Sequence, residues 1–454
     1  MPYSLATLAI HADDRTNILT DVAPAIHTST TFRYPRNPSA LQPVPSSGVE
    51  EVGLQTPLVY SRLASSNINR LETILTPLLY PGTPDEELER LSNQVVSYSS
   101  GLSAFHALLV SVVPKVVAIG DGYHGCHGII DLHKKMHNLR TVDIHADEAA
   151  WDAAGLGDGD IVHLETPLNP TGEAYEIQKF AERAHKRGAI LCVDATFAPP
   201  GLQDPFQWGA DVVMHSGTKY IGGHSDLLCG ILATATDPAG RERARVLRLE
   251  RVFLGSVLGS LEGWLGVRSL RTLELRVRRQ SDNATNLVHW LHGLLTGQGD
   301  SDKSSVEIVQ RTIKKITHAS LQPPKDQLWL KKQMPNGYGP VFSIYTQTPA
   351  QARSLPSALK LFHHATSLGG VESLIEWRRM SDSGVDERLL RVSIGVENWE
   401  DLRDDLLEGL GRVAAGEAVE VAEKENGVQV GGGGVDVSAG QEGAVGVRDA
   451  DGAV

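Results

Sequence analysis

The sequence predicts an α/β protein whose central sheet is mostly parallel and covered on both faces, and three observations carry that expectation. Between about Val95 and Thr234, short apolar runs read "VVAIGDG", "DIVHLETP", "AILCVDATF", "DVVMHS" and "CGILAT". Helical patterns separate them, as crossover connections between parallel strands require. The runs are near-continuously apolar rather than alternating, which is the pattern of strands buried on both faces.

Residues 1–60 carry few periodic segments and several prolines (Pro35, Pro38, Pro43, Pro45, Pro57), so they read as an extended arm lying on something else. Residues 61–255 form the large domain. Within it, "YPGTPDEELERLSNQ" reads as an acidic surface loop entering a short exposed helix, and "SSGLSAFHALL" opens a helix at Ser100, Gly101 and Leu102. In "AYEIQKFAERAHKRG", Ile177, Phe180, Ala181 and Ala184 fall at i, i+3, i+4 and i+7, and Gly188 stands where a C-terminal cap belongs. Residues 256–412 change to longer amphipathic segments interrupted by strands such as "GPVFSIYT" and "LLRVSIGV", a smaller α+β domain. Residues 413–454 contain no aromatic residue and a "GGGG" run, so this tail is expected to be disordered.

With 454 residues, 41% of them apolar, the chain can bury a large core, and its length suggests two or three domains. A formal net charge of -13 argues against nucleic-acid or anionic-membrane partners, which normally meet a basic patch. The tail holds eight acidic residues against Lys424 and Arg448, roughly half of that charge. Three scattered cysteines, Cys126, Cys192 and Cys229, suit neither a disulfide framework nor a zinc site, and Cys192 and Cys229 read as core thiols. The N-terminal stretch "MPYSLATLAIHADD" lacks a signal-peptide pattern, and no apolar run is long enough to span a bilayer; a cytoplasmic protein is expected.

The stretch "DVVMHSGTKYIGGHSD" ends a buried strand in small polar residues around Lys219. An amine desolvated there loses pKa and becomes a nucleophile toward aldehydes. Ligands of open α/β sheets sit beyond the carboxyl ends of the strands. The residues after the apolar runs are Tyr123, Asn169, Asp194, Ser216, Thr218 and Lys219, and Ser100–Leu102 offer a helix N-terminus for an anion. An aromatic aldehyde bearing a phosphate needs an amine, an acid for its ring nitrogen, a stacking partner and a phosphate cradle. All four are available. His124, His127 and His224 have no carboxylate or cysteine at ligand spacing, so no metal site is expected.

The segments "YSR" (60–62), "SGL" (100–102), "ETPLNPT" (165–171), "VDATF" (193–197), "HSGTKYIGGHSD" (215–226), "SLGGVESL" (367–374) and "LRVSIGVE" (390–397) stand in an order that resembles the trans-sulfuration family of pyridoxal-phosphate enzymes. The resemblance runs from about residue 5 to 410 and implies a fold type I, aminotransferase-like α/β architecture with pyridoxal 5'-phosphate as cofactor. It implies that Lys219 carries the cofactor, Asp194 pairs with the ring nitrogen and Tyr123 stacks on the ring. Gly101, Leu102, Ser216 and Thr218 would hold the phosphate, with Tyr60 and Arg62 reaching it from a neighbouring subunit. A homodimer or dimer of dimers with shared sites follows. Asn169 and Arg391 would bind the carboxylate of a small amino-acid substrate, and Glu372 would lie near its distal end.

The substrate side departs from the common family pattern. "HGCHG" follows Tyr123 where "GGTxR" is usual, and Ala195 follows Asp194 in place of Asn. "NINR" (67–70) replaces "NPTR", and "WRRMSDSGVD" follows "SLGGVESLIE" where Met-Thr-His is usual. The expected activity is carbon–sulfur chemistry at the γ-carbon of a cystathionine- or homocysteine-like amino acid, with Lys219 moving the protons and Tyr123 beside the leaving group. The alternative is γ-replacement on an O-acylhomoserine. Behind it stand β-elimination and a non-catalytic cofactor-binding module.

Overall fold

A computed structural model of the chain describes residues 3–16, 21–43, 54, 57–298 and 302–416. The apolar runs become strands because each buries side chains on both faces of one sheet, and the exposed segment "RTVD" joins them as an edge strand. These are β1 (Val95–Tyr98), β2 (Val116–Ile119), β3 (Arg140–Asp143), β4 (Ile161–Glu165), β5 (Ile190–Asp194), β6 (Val212–Ser216) and β7 (Gly230–Thr234). Their order is β1-β7-β6-β5-β4-β2-β3. Only β7 runs against its neighbours; the pairs from β6 across to β3 are parallel. The carboxyl ends of β1, β2, β4, β5 and β6 therefore meet along one edge, where open α/β sheets bind their ligands.

A second sheet holds β8 (Ile313–Thr317), β9 (Val341–Thr346), β10 (His363–His364), β11 (Leu374–Trp377) and β12 (Leu389–Ser393), ordered β10-β11-β12-β9-β8. The helix Leu273–Thr296 joins the two halves: Leu273 and Val277 pack in the core of the large sheet, Ala284, Leu287 and Leu291 in that of the small one. The periodic segment before Gly188 forms the helix Ile177–His185, burying Ile177, Phe180, Ala181 and Ala184. The acidic segment forms the short helix Asp85–Leu91.

The arm is not extended throughout. Leu5–His11 is helical, Ala9 is buried in the core, and Asp13 receives both Arg271 (2.7 Å) and Arg70 (3.4 Å). The last helix, Trp399–Ala415, runs three residues into the segment assigned to the tail; residues 417–454 lie outside the described residues. Among the described residues no helix is long and apolar enough to cross a membrane.

One buried ionic cluster ties the helix Ser66–Leu79 to β1 and to the helix Pro238–Leu254. Glu72 accepts from Arg248 and Arg251, each at 2.8 Å, and from Ser97 of β1. Burial alone would raise this carboxyl, but Arg248, Arg251 and Ser97 outweigh it and hold it at about 2.

Candidate functional site

The turn after β6 is closed by two backbone bonds, Lys219 N to Ser216 O (3.1 Å) and Gly223 N to Lys219 O (2.6 Å). The Lys219 amine donates to Ser367 Oγ at 2.9 Å. Burial, reinforced by repulsion from Arg391 and opposed by Glu376, lowers the amine to about 8. The segment that brings Ser367 here lies directly on the lysine's backbone. A Cβ on Gly369, whose φ is +85°, would come within 2.9 Å of the Lys219 carbonyl carbon. Ser367 itself has φ 75°, a conformation uncommon for a non-glycine residue and held here by its two partners.

Asp194 closes β5 and is buried. Its Oδ1 accepts from Thr196 N (3.0 Å) and Thr196 Oγ1 (2.5 Å), and that hydroxyl in turn accepts from Ser216 N (2.8 Å). Burial raises the Asp194 carboxyl against those Thr196 bonds. Parallel register sets Glu165 of β4 beside it. Burial first, then the Asp194 charge, pushes Glu165 up to about 8, although Tyr123 N (2.8 Å) and Asn169 N (2.7 Å) donate to it. Burial thus favours the neutral form of both carboxyls.

The helix Gly101–Val112 begins against the end of β6. Ser100 caps it, accepting from Ser103 N at 3.1 Å, and its carbonyl takes Ala104 N. The Gly101 and Leu102 amides precede the first intrahelical bonds. A Cβ on Gly101 would lie 3.1 Å from Ser216 Cβ, so glycine lets the helix end approach the strand end this closely. Thr218 is less available: Cys229 N donates to its hydroxyl at 3.0 Å.

Arg391 of β12 lies opposite Glu376 of β11. Its guanidinium donates to Asn169 Oδ1 (3.2 Å) and Ser367 O (2.8 Å) and pairs with Glu376 Oε2 (2.6 Å). The same Oε2 receives Arg378 Nη1 at 2.9 Å, and Glu376 Oε1 accepts from Ser381 (2.7 Å). Ser367 therefore joins the amine of Lys219 to the guanidinium of Arg391. Glu372 is turned onto Ser225, from whose hydroxyl it accepts.

Tyr123 follows β2 and precedes the helix His124–His137; its ring is 40% exposed and tilts against His124 at 4.9 Å. Partial burial raises its hydroxyl, keeping the phenol protonated at neutral pH. Tyr60 and Arg62 are exposed on the arm. The Arg62 guanidinium lies 5.5 Å from the Tyr60 ring centroid and donates to Val252 O at 3.2 Å.

Sequence reasoning missed Glu165, Thr196, Ser367, Glu376 and Arg378. Glu165 had a signal, because it ends an apolar run as Asp194 does. Ser367 had the following Gly-Gly pair. Glu376 had none, since only the β11–β12 register brings it to Arg391, and Arg378 lay in the unusual segment "WRRMSDSGVD" and reaches the cluster through Glu376. Among the described residues no group of three or more His, Cys, Asp or Glu is placed to hold a metal ion.

This donor set fits an aromatic aldehyde phosphate: a depressed amine, a buried carboxylate at a strand end, and amides at a helix start where a side chain would intrude. The comparisons agree. Residues 6–411 match the family described as Cys/Met metabolism PLP-dependent enzyme. A cystathionine gamma-lyase of Saccharomyces cerevisiae is 32% identical over 426 residues, covering 89% of this chain and 96% of the relative. A chloroplastic cystathionine beta-lyase of Arabidopsis thaliana is 28% identical, covering 89% and 80%. The crystal structure of a cystathionine gamma synthase from Xanthomonas oryzae pv. oryzae, in complex with aminoacrylate and cysteine, superposes with a TM-score of 0.74 at 26% identity, covering 91% of this chain and all of that one. With its mostly parallel sheet, its site at the carboxyl edge and this match across nearly its whole described length, the chain belongs to the Cys/Met metabolism family of pyridoxal-phosphate-dependent enzymes, the lyases and synthases of trans-sulfuration.

Proposed function

We propose that the enzyme works on the carbon–sulfur bond at the γ-carbon of a cystathionine- or homocysteine-like amino acid. The observation that carries this reading is Ser367. Its hydroxyl accepts from Lys219 and its carbonyl from Arg391, so a proton acceptor and a carboxylate binder stand side by side. An α-amino acid presents its carboxylate one bond from the Cα proton. The preference for the γ-carbon rests on likeness to the yeast γ-lyase.

Pyridoxal phosphate, when bound, supplies an aldehyde for the substrate amine and a ring that withdraws electrons from the bonds at Cα. Lys219 would carry it, Asp194 would face its ring nitrogen and Tyr123 its ring. The amides of Gly101 and Leu102, with Ser216 and Thr218, would take its phosphate. Arg391 and Asn169 orient the substrate carboxylate, the former as a planar fork. Lys219 takes the α-proton and then moves protons at Cβ. Tyr123, a protonated phenol at neutral pH, donates to the departing sulfur.

Tyr60 and Arg62 sit exposed on the arm, which suits a phosphate contact made in a neighbouring subunit and hence a homodimer or dimer of dimers. The division of labour is an arm (1–60) whose junction with the next domain carries Arg62, a cofactor domain (61–255), a small domain (256–412) whose last helix runs on to Ala415, and a tail that makes up the rest of 413–454. Cys126, Cys192 and Cys229 are all buried free thiols, which suits the reducing cytoplasm.

The second reading, γ-replacement on an O-acylhomoserine, draws on the similar fold of the Xanthomonas γ-synthase. Incubation with cystathionine, and separately with O-acetylhomoserine plus a thiol, tests both. Ketobutyrate from cystathionine supports elimination at the γ-carbon, and thioether formation supports replacement. Pyruvate alone would overturn both in favour of β-elimination, and no product from either would sink both proposed substrates.

A further inference from the structure

The helix Leu273–Thr296, which joins the two halves, carries polar side chains on a buried face. Arg276, Gln280 and Asn283 fall at i, i+4 and i+7, one stripe along the helix, and all three are buried. Burial makes an unmet donor costly, so the acceptors these side chains reach are informative.

The Arg276 guanidinium serves two carbonyls and a hydroxyl. Its Nη1 donates to Tyr220 O (2.7 Å), Nη2 to Ser269 O (2.9 Å) and Nε to Thr272 Oγ1 (3.2 Å). Tyr220 directly follows Lys219, and the turn packs so closely that a Cβ on Gly223 would collide with this guanidinium. One helical turn further on, Gln280 Nε2 donates to Gly370 O (2.6 Å) and Ile394 O (3.3 Å). Gly370 lies just past Ser367 in the chain, and Ile394 just past Arg391. The same two segments are tied again by Gly369 N, which donates to Ser393 Oγ at 3.1 Å. Asn283 reaches elsewhere: it donates to Gly395 O (3.2 Å) and Glu397 O (2.8 Å), beyond the strand that carries Arg391.

Lys219 belongs to the large domain, and Ser367 and Arg391 to the small one. A helix is stiff and rises about 5.4 Å per turn, so donors one turn apart hold what they grip at a set separation. We infer that Arg276 and Gln280 are positioning residues: Arg276 fixes the backbone behind Lys219, Gln280 fixes the segments of Ser367 and Arg391, and the helix between them aligns the amine with the α-proton of a substrate whose carboxylate is bound. This rests on the roles proposed above for Lys219 and Arg391.

Proton exchange at Cα tests the alignment without any leaving group. Holoenzyme is incubated in D2O with L-norvaline, exchange is followed by proton NMR, and binding by the change in cofactor absorbance. Gln280→Met keeps the length and removes the donor. It should slow exchange at saturation about tenfold to a hundredfold, the scale of a misplacement of about 1 Å, and alter the binding constant less than about threefold, because Arg391 keeps Glu376 and Asn169. Arg276→Met should do the same, and Arg276→Lys, which retains a donor, should recover part of the rate. Apoenzyme supplies a readout without turnover: Arg276→Met frees the turn, admits water to the amine and should slow capture of pyridoxal phosphate at about pH 7 roughly tenfold. Asn283→Leu is the control for a weakened helix, and should lower the melting temperature while leaving exchange and capture within about twofold. An exchange loss in Asn283→Leu as large as that in Gln280→Met would overturn the inference, as would a Gln280→Met loss confined to binding. If Arg276→Met does not fold, Arg276→Lys and Gln280→Met decide. An unaltered holoenzyme that exchanges no α-proton would sink the role of Lys219 as the base, and the capture rates would still decide whether Arg276 places its amine.

Discussion

The amine of Lys219 is lowered to about 8 by burial, with Arg391 adding to the effect and Glu376 opposing it, and this fixes how fast apoenzyme should capture its cofactor at each pH. Only the neutral amine attacks an aldehyde. Between about pH 7 and about pH 9 the neutral fraction of such an amine rises roughly tenfold, against roughly a hundredfold for a lysine at the ordinary 10.5. Apoenzyme mixed with pyridoxal phosphate in a stopped-flow spectrometer should therefore show a rate that levels off above about pH 8. Dividing by the rate for acetyl-lysine amide removes the cofactor's own ionisation. Arg391→Gln should move the midpoint up, because a repelling charge is gone, and Glu376→Gln should move it down. The same shift has a sign for stability. The folded amine binds its proton less tightly than the unfolded one, so the apo-protein gains stability as pH rises from about 8 towards 10.5. A capture rate that keeps climbing to about pH 10 in parallel with acetyl-lysine amide would refute the idea of a desolvated Lys219. Borohydride reduction followed by peptide mapping must also leave the pyridoxyl group on Lys219.

Asp194→Ala should lower turnover by at least about a hundredfold, the scale of losing one preorganised charge, while the melting temperature moves little; unchanged turnover would reduce Asp194 to a cap for the Thr196 turn. Glu72→Gln should cost about 3–5 kcal/mol in denaturant unfolding, because Arg248 and Arg251 lose their shared counter-charge, and a near-neutral result would mean that the cluster relaxes. In the unaltered protein this contribution is present above the ordinary carboxyl value of 4.5 and is lost as pH falls towards about 2. Mixing inactive Lys219→Ala with inactive Arg62→Ala should restore part of the activity through a mixed site. Demonstrated subunit exchange with no recovery would place Arg62 outside the neighbour's site.

The strands buried on both faces could be read directly, because continuous apolar character leaves few other places for such a segment to go. That is why β2, β4, β5 and β6, and with them the positions of Asp194 and Lys219, were legible. The exposed edge strand β3, "RTVD", was not, since nothing in its composition demands a sheet and only pairing with β2 makes it one. The residues that end apolar runs could also be picked out, and the structure brings Lys219, Asp194, Asn169, Ser216 and Tyr123 to the same edge. The surroundings of those residues could not. Glu165 meets Asp194 through parallel register, Ser367 reaches Lys219 across 148 positions, and Glu376 meets Arg391 through the pairing of β11 with β12. Sequence fixes which side chains are available, since that depends on chemistry a single residue carries. Charge and pKa in the site depend on distances of a few ångströms between groups far apart in the chain, and those distances exist only once the two sheets have closed on each other.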